Sequence, residues 1–397
     1  MNYLSNRIND LEESATIAMA RLSRELQEQG HDIISLSLGE PDFVTPDNIR
    51  AAAKKAIDDG FTHYPPIAGF SDLRKAISEK FKRENNLDFT PEQIIVSTGA
   101  KQSIANVLMS LINPGDEVII PAPYWVSYSQ MIKLSGGVPV FIETGVDQNF
   151  KPSAAQIKSA ITSKTKLFIF SSPCNPTGSM FTKEELKSIA EIILPHPRIY
   201  ILSDEIYEHI RFEDKHESIA QFDFIKDRVI VVNGVSKGYA MTGWRIGYIG
   251  APLEIAKACD KVQGQFTSAA CSIAQKAALE AVSTEWAMYD HMRASFQKRR
   301  DLVLELMKDI PGWKFNKPPG AFYIFPDVSS FFGKKFDGKV IQNATDLCMY
   351  LLKEAKVSLV TGEAFGDPRC VRLSYATSEE LLRKAIQRVG EALAKLK

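Results

Sequence analysis

The chain has 397 residues, 45% hydrophobic and 24% charged, with 48 basic and 48 acidic side chains. This composition fits a globular protein of two domains, and the balanced charge gives no reason to expect nucleic acid or an anionic membrane as a partner. The five cysteines (Cys174, Cys259, Cys271, Cys348, Cys370) form no CxxC pair and the histidines show no HxH or HxxxH spacing, which argues against a disulfide framework and against a metal enzyme. Reduced thiols, a polar N-terminus without signal-peptide character and no apolar run long enough to span a bilayer predict a cytoplasmic protein.

In chain order, residues 1–13 are a polar arm. Thr16 to Gln29 is predicted as a helix, with Met19, Leu22 and Leu26 on one side and Gly30 at its end. Asp32 to Leu38 follows as a short strand, and Gly39-Glu40-Pro41-Asp42-Phe43 turns. From Thr45 helical periodicity alternates with β-branched runs, giving strands at Gln93–Ser97, Glu117–Pro121, Val138–Ile142, Lys166–Ser171, Ile199–Ser203, Val229–Val232 and Arg245–Ile249. Strands alternating with helices predict an α/β fold with a mainly parallel seven-stranded sheet covered on both faces. After Thr284 a charged helical stretch runs to Lys308. Strands at Phe322–Phe325, Val357–Val360 and Cys370–Ser374 and a helix over Glu379–Leu396 close the chain. They predict a smaller, discontinuous α+β domain from 14–45 and 299–397, with 46–298 as the large domain.

Ligands of parallel sheets bind in the crevice beyond the strand C-termini. The polar signatures fall there: Gly99-Ala100-Lys101, Pro123-Tyr124-Trp125, Asn175-Pro176-Thr177-Gly178, Asp204-Glu205-Ile206-Tyr207 and Ser236-Lys237. Each alone has an ordinary explanation: a solvated lysine, a turn aspartate, a packed tryptophan, a rigid proline turn. Together they supply what pyridoxal 5'-phosphate needs. Lys237 offers an amine for its aldehyde, and Asp204 an anion for its pyridine nitrogen. The helix start at Gly99 offers free N–H groups for its phosphate, Arg245 a guanidinium fork for the same group, and Trp125 a stacking face.

Three longer motifs carry a resemblance: Ser-Pro-Cys-Asn-Pro-Thr-Gly at 172–178, Ser-Asp-Glu-Ile-Tyr at 203–207 and Ser-Lys-Gly-Tyr-Ala-Met-Thr-Gly-Trp-Arg-Ile-Gly at 236–247. From about Ser14 to its C-terminus the chain resembles the class I/II aminotransferases of the fold-type I pyridoxal-phosphate enzymes, in particular the bacterial aspartate aminotransferase branch. The resemblance implies that Lys237 carries the cofactor and that Asp204 pairs with its ring nitrogen. Asn175 and Tyr207 would hydrogen-bond the ring oxygen, with Trp125 stacked on the ring. Gly99, Ala100, Lys101, Ser236 and Arg245 would hold the phosphate, together with Tyr64 from a neighbouring subunit of a homodimer. Arg372 would grip the substrate's α-carboxylate, with Gly39, Trp125 and Asn175 beside it, and Lys101 and Thr16 would meet a distal carboxylate.

Two features depart from the wider family pattern. Many members carry a serine or threonine three residues before the lysine; here that residue is Gly234. No arginine occurs in Val262 to Ala270, where some aspartate aminotransferases place a distal-carboxylate arginine. The activity implied is transfer of an amino group between an L-amino acid, with aspartate preferred, and 2-oxoglutarate. An aromatic or prephenate aminotransferase and a lyase on the same fold remain alternatives. A non-enzymatic cofactor sensor would need a DNA-binding segment that the short arm does not provide. A dinucleotide oxidoreductase would need a GxGxxG that is absent.

Overall fold

The computed structural model describes residues 3–213 and 215–397. Its centre is a seven-stranded sheet built from β1 (Ile94–Ser97), β2 (Glu117–Ala122), β3 (Val138–Glu143), β4 (Thr165–Ser171), β5 (Tyr200–Asp204), β6 (Val229–Gly234) and β7 (Gly247–Gly250). The spatial order is β1-β7-β6-β5-β4-β2-β3, and only β7 runs antiparallel to its neighbours. The fold is therefore α/β with a large, mostly parallel sheet.

Period-2 alternation deals the side chains of each strand to two cores. Val229 and Val231 of β6, Ile201 of β5 and Phe168 and Phe170 of β4 enter one core. Ile230 and Val232, Leu202, and Leu167 and Ile169 enter the other. Helices Asp47–Asp58, Ser71–Lys80, Lys183–Ile193 and Ser272–Ser283 cover the first face; Ala100–Leu111, Ser127–Leu134 and Leu253–Phe266 cover the second. Local chemistry sets several helix starts. Thr182 and Glu185 form a reciprocal capping box at the helix Lys183–Ile193. Ile201 is completely buried, and truncating it to alanine should cost about 2–5 kcal/mol.

A third core gathers Ile34 and Leu36 with residues from Phe296 to Leu396. It holds a three-stranded antiparallel sheet of Val360–Thr361, Val371–Ser374 and Tyr323–Ile324. The helix Asp290–Lys308 runs unbroken between the two regions: Met292 packs against the large sheet, and Phe296, Val303 and Met307 pack in the third core.

Two sequence expectations change here. The strands predicted at Asp32–Leu38 and Val357–Val360 shrink to Ile34–Ser35 and Val357–Ser358, which pair with each other in parallel. Val360 turns away to pair with Arg372 in a different sheet, so a single apolar run serves two sheets. Arg245, predicted inside the last strand, precedes it with φ of 58°. That left-handed turn ends a 3-10 segment and delays β7 until Gly247.

Candidate active site

The strand C-termini open onto one cavity of about 250 Å³. It is lined by Thr16, Gly39, Ala100, Lys101, Trp125, Asn175, Asp204, Tyr207, Ser236, Lys237, Arg245 and Arg372. Of the residues singled out in the sequence, Gly99 and Tyr64 do not line it. Gly99 lies directly behind: a Cβ there would collide with the Arg245 guanidinium, and the residue has φ of +80°. Tyr64 is 96% exposed, away from this chain's own cavity.

Asp204 ends β5 and is buried. Its Oδ2 accepts a 2.6 Å hydrogen bond from Tyr128 Oη, and its Oδ1 accepts from the Ile206 N–H at 3.2 Å. Burial raises its pKa to about 6, with the neighbouring Glu205 carboxylate adding to the rise; Tyr128, Ile206 and Lys237 pull the other way. Lys237 lies three residues beyond β6, and its Nζ donates to the Gly39 carbonyl at 2.6 Å. Burial lowers its pKa to about 8, and the Arg372 and Arg245 guanidinium groups add to that, against Glu40 and Asp204. A lysine poised near neutrality can serve as nucleophile and as base.

Arg372 is almost completely buried at the centre of a small antiparallel sheet. Its Nη1 donates to Asn175 Oδ1 at 3.1 Å and its Nη2 to the Ser37 carbonyl at 2.6 Å, while its Nε has no partner. These two bonds fix the plane of the guanidinium, and a guanidinium fork held in one plane suits a carboxylate. Tyr207 Oη lies 2.7 Å from Tyr323 Oη. At the opposite end, the helix Ala100–Leu111 starts at Gly99 with no side-chain cap, so its first N–H groups are open to an anion. Arg245 reaches the same end, its Nη1 fixed on the Thr242 carbonyl at 2.8 Å. Lys101 Nζ sits 5.0 Å from the centre of the Trp125 ring.

Gly234 has no room for the hydroxyl that its position suggested was missing. A Cβ there would stand 2.9 Å from Gly247 Cα and 2.9 Å from the Ile246 carbonyl. The close approach of β6 and β7 enforces glycine, and Ser236 is the nearby hydroxyl that does line the cavity.

The sequence reading missed Tyr128 and Tyr323, both of which line the cavity. Neither belongs to the three motifs. Tyr128 lies in the first turn of the helix Ser127–Leu134, just after Trp125, and its ring meets the Trp125 ring edge-on at 5.4 Å, a contact that no sequence pattern marks. Tyr323 arrives from a strand 116 residues beyond Tyr207, and nothing local marks it.

Comparison with known proteins agrees with this geometry. The family model described as Aminotransferase class I and II matches residues 31–389. The chain is 47% identical to an aspartate/prephenate aminotransferase of Cereibacter sphaeroides, over 98% of both proteins. It is 46% identical to a bifunctional aspartate aminotransferase and glutamate/aspartate-prephenate aminotransferase of Petunia hybrida, over 99% of this chain and 83% of that one. Among solved structures it superimposes on an aspartate aminotransferase from Rhizobium meliloti with a TM-score of 0.97, at 40% identity and complete coverage of both chains. It matches the Thermus thermophilus aspartate aminotransferase with maleate at a TM-score of 0.93 and 41% identity, over 99% of this chain and 100% of the other. A polar crevice at the strand ends, holding a poised lysine, a buried carboxylate and a buried arginine, on a chain that aligns end to end with these enzymes, makes it a member of the class I and II aminotransferase family.

Proposed function

We propose that this aminotransferase uses pyridoxal 5'-phosphate to move an amino group between aspartate and 2-oxoglutarate. One observation carries the reading: a poised lysine, a buried carboxylate and a buried arginine line a single cavity. The residues fit the cofactor. The uncapped helix start and Arg245 form a phosphate cradle that a side chain at Gly99 would fill. When bound, pyridoxal phosphate supplies an aldehyde for an amine and a ring that withdraws electrons from the substrate's Cα.

The protein's own groups do the rest. Asp204, aimed by Tyr128 and the Ile206 N–H, would pair its carboxylate with the pyridine nitrogen. Lys237 would hold the cofactor through its aldehyde, and its Nζ, with a pKa lowered to about 8, would be the base that carries the substrate's Cα proton. Asn175 and Tyr207 would hold the ring oxygen, and Trp125 would cover the ring. Gly99, Ala100, Lys101, Ser236 and Arg245 hold the phosphate. Arg372 takes the α-carboxylate beside Gly39, and Lys101 and Thr16 take the distal one. Maleate, which accompanies the Thermus thermophilus enzyme, is a dicarboxylate and supports that last assignment.

Tyr64, which projects into solvent from its own subunit, completes the phosphate site of a second copy, so the working unit is a homodimer with shared sites. A second reading is favoured by the relatives' names: prephenate, a 2-oxo acid with a second carboxylate, would use the same Arg372 and Lys101.

The test is a half-reaction panel. The loaded protein is mixed with single amino acids while its near-visible absorbance is followed and the products are assayed. Aspartate should bleach the band fastest and yield one 2-oxo acid per site, and 2-oxoglutarate should restore it. Bleaching by glutamate with prephenate as the better restoring acid would move the assignment to the second reading. A non-oxo product would replace transfer by a lyase reaction.

A further inference from the structure

We propose that Tyr323 is a positioning residue: it donates its hydroxyl proton to Tyr207 and thereby links the grip on the substrate's carboxylate to the cofactor ring. The proposal rests on the pyridoxal-phosphate reading above.

A phenol has one proton to donate. Tyr207 and Tyr323 are both buried, with their oxygens 2.7 Å apart, so one must donate to the other. If Tyr207 gives its proton to the cofactor's ring oxygen, the short contact is a hydrogen bond only when Tyr323 is the donor. Such a chain of two donors polarises the outer one and makes Tyr207 a stronger donor.

The surroundings hold Tyr323 to that task. A Cβ on Gly39 would collide with its hydroxyl, so Oη is wedged between that glycine and Tyr207. This gives Gly39 a second reason to lack a side chain, besides the contact its carbonyl makes with Lys237 Nζ. The Arg372 guanidinium lies 4.6 Å from the centre of the Tyr323 ring, a cation–π distance. Burial raises the Tyr323 pKa, and the Arg372 charge opposes that rise, favouring donation. One side chain thus touches the arginine proposed to take the substrate's carboxylate, the tyrosine proposed to hold the ring and the turn that meets the lysine. Tyr323 comes from the small antiparallel sheet and Tyr207 follows β5 of the large one, so the contact joins the two sheets within the third core.

Tyr323→Phe removes only the hydroxyl and keeps the ring under Arg372. The experiment compares loaded wild type, Tyr323→Phe, Tyr207→Phe and the double variant. It measures the pH midpoint of the near-visible band of the lysine-bound cofactor, and kcat and KM for aspartate. A weaker donor at Tyr207 stabilises negative charge on the ring oxygen less, so the midpoint should rise. For the loss of one ordinary hydrogen bond the rise is about half a unit to one unit, and kcat should fall about fivefold with KM within about twofold. Adding Tyr323→Phe to Tyr207→Phe should change nothing further. An unmoved midpoint, an equal shift with and without Tyr207→Phe, or a higher KM at unchanged kcat would each overturn the proposal, the last by reducing Tyr323 to packing for Arg372. If wild type forms no band at all, the cofactor reading fails and takes this inference with it.

Discussion

Lys80 and Lys237 are both held inside the protein, and their surroundings treat the two charges in opposite ways. Lys80 is completely buried, ion-paired with Glu208 and 3.3 Å from Glu84. Glu208 also accepts from Asn233 Nδ2 at 2.7 Å and Asn85 Nδ2 at 2.8 Å, and Glu84 meets His209 Nε2 at 2.8 Å. His209 in turn stacks on Trp286 at 3.9 Å. Burial alone would lower the lysine and raise the glutamate, yet their mutual attraction wins: the Lys80 pKa stands above its usual range and that of Glu208 well below. In the cavity burial wins instead, leaving Lys237 near 8 and Asp204 near 6, with Arg372 Nε unpartnered. Charges with complete sets of partners hold the fold together, while incompletely partnered ones keep free energy available for a ligand.

Substitutions can break or sharpen this contrast. The largest effect belongs to Lys237→Ala. Turnover should fall by at least about 10²–10⁴-fold from the lost proton transfer alone, while the melting temperature of the cofactor-free protein stays level or rises. Paired turnover and melting measurements check both halves. Lys80→Met should do the reverse, destabilising by about 3–5 kcal/mol because Glu208 is left buried and unpaired. The double variant Lys80→Met/Glu208→Leu should recover much of that in denaturant titrations, since no stranded charge remains. Arg372→Lys keeps the charge but loses the fork, and kcat/KM for aspartate should drop about 10–100-fold, mainly through KM. The smallest effect is one of pH. Because the folded pKa of Lys237 is lowered to about 8, its amine becomes neutral as pH rises through that value. Loading of the cofactor-free protein with pyridoxal phosphate should therefore quicken about tenfold per pH unit up to about pH 8 and then level off. A rise continuing to pH 10 would mean the lysine is not poised.

Much of this was legible in the sequence, for identifiable reasons. Most strands of the large sheet are apolar runs buried on both faces, so their composition marked them; the edge strand Val138–Glu143 is the more exposed one. The site motifs sit where those runs stop, and topology alone gathers such ends. What escaped depends on contacts distant in the chain. Tyr323 reaches the cavity from another sheet, and the run at Val357–Val360 gave no hint that its two halves pair with different partners. Nothing local marks Lys80 and Glu208 as a buried pair, because the two charges lie 128 residues apart in the chain. Gly234 looked like a missing phosphate contact until the approach of β7 showed that no side chain fits there.

The contrast between the two clusters is tested most directly by removing one negative charge from each in the cofactor-free protein and reading only the sign. The folded pKa of Asp204, about 6, lies above its usual 3.8, so the folded state binds its proton more tightly than the unfolded state. Its ionised form therefore costs stability above pH 6, and that cost disappears as pH falls towards 4. Asp204→Asn should melt higher than wild type at pH 7, by up to about 3 kcal/mol, with the gain fading by pH 4. Glu208→Gln should melt lower than wild type at pH 7. If both variants melt lower by similar amounts, Asp204 is as fully partnered as Glu208, and the distinction between the two clusters is wrong.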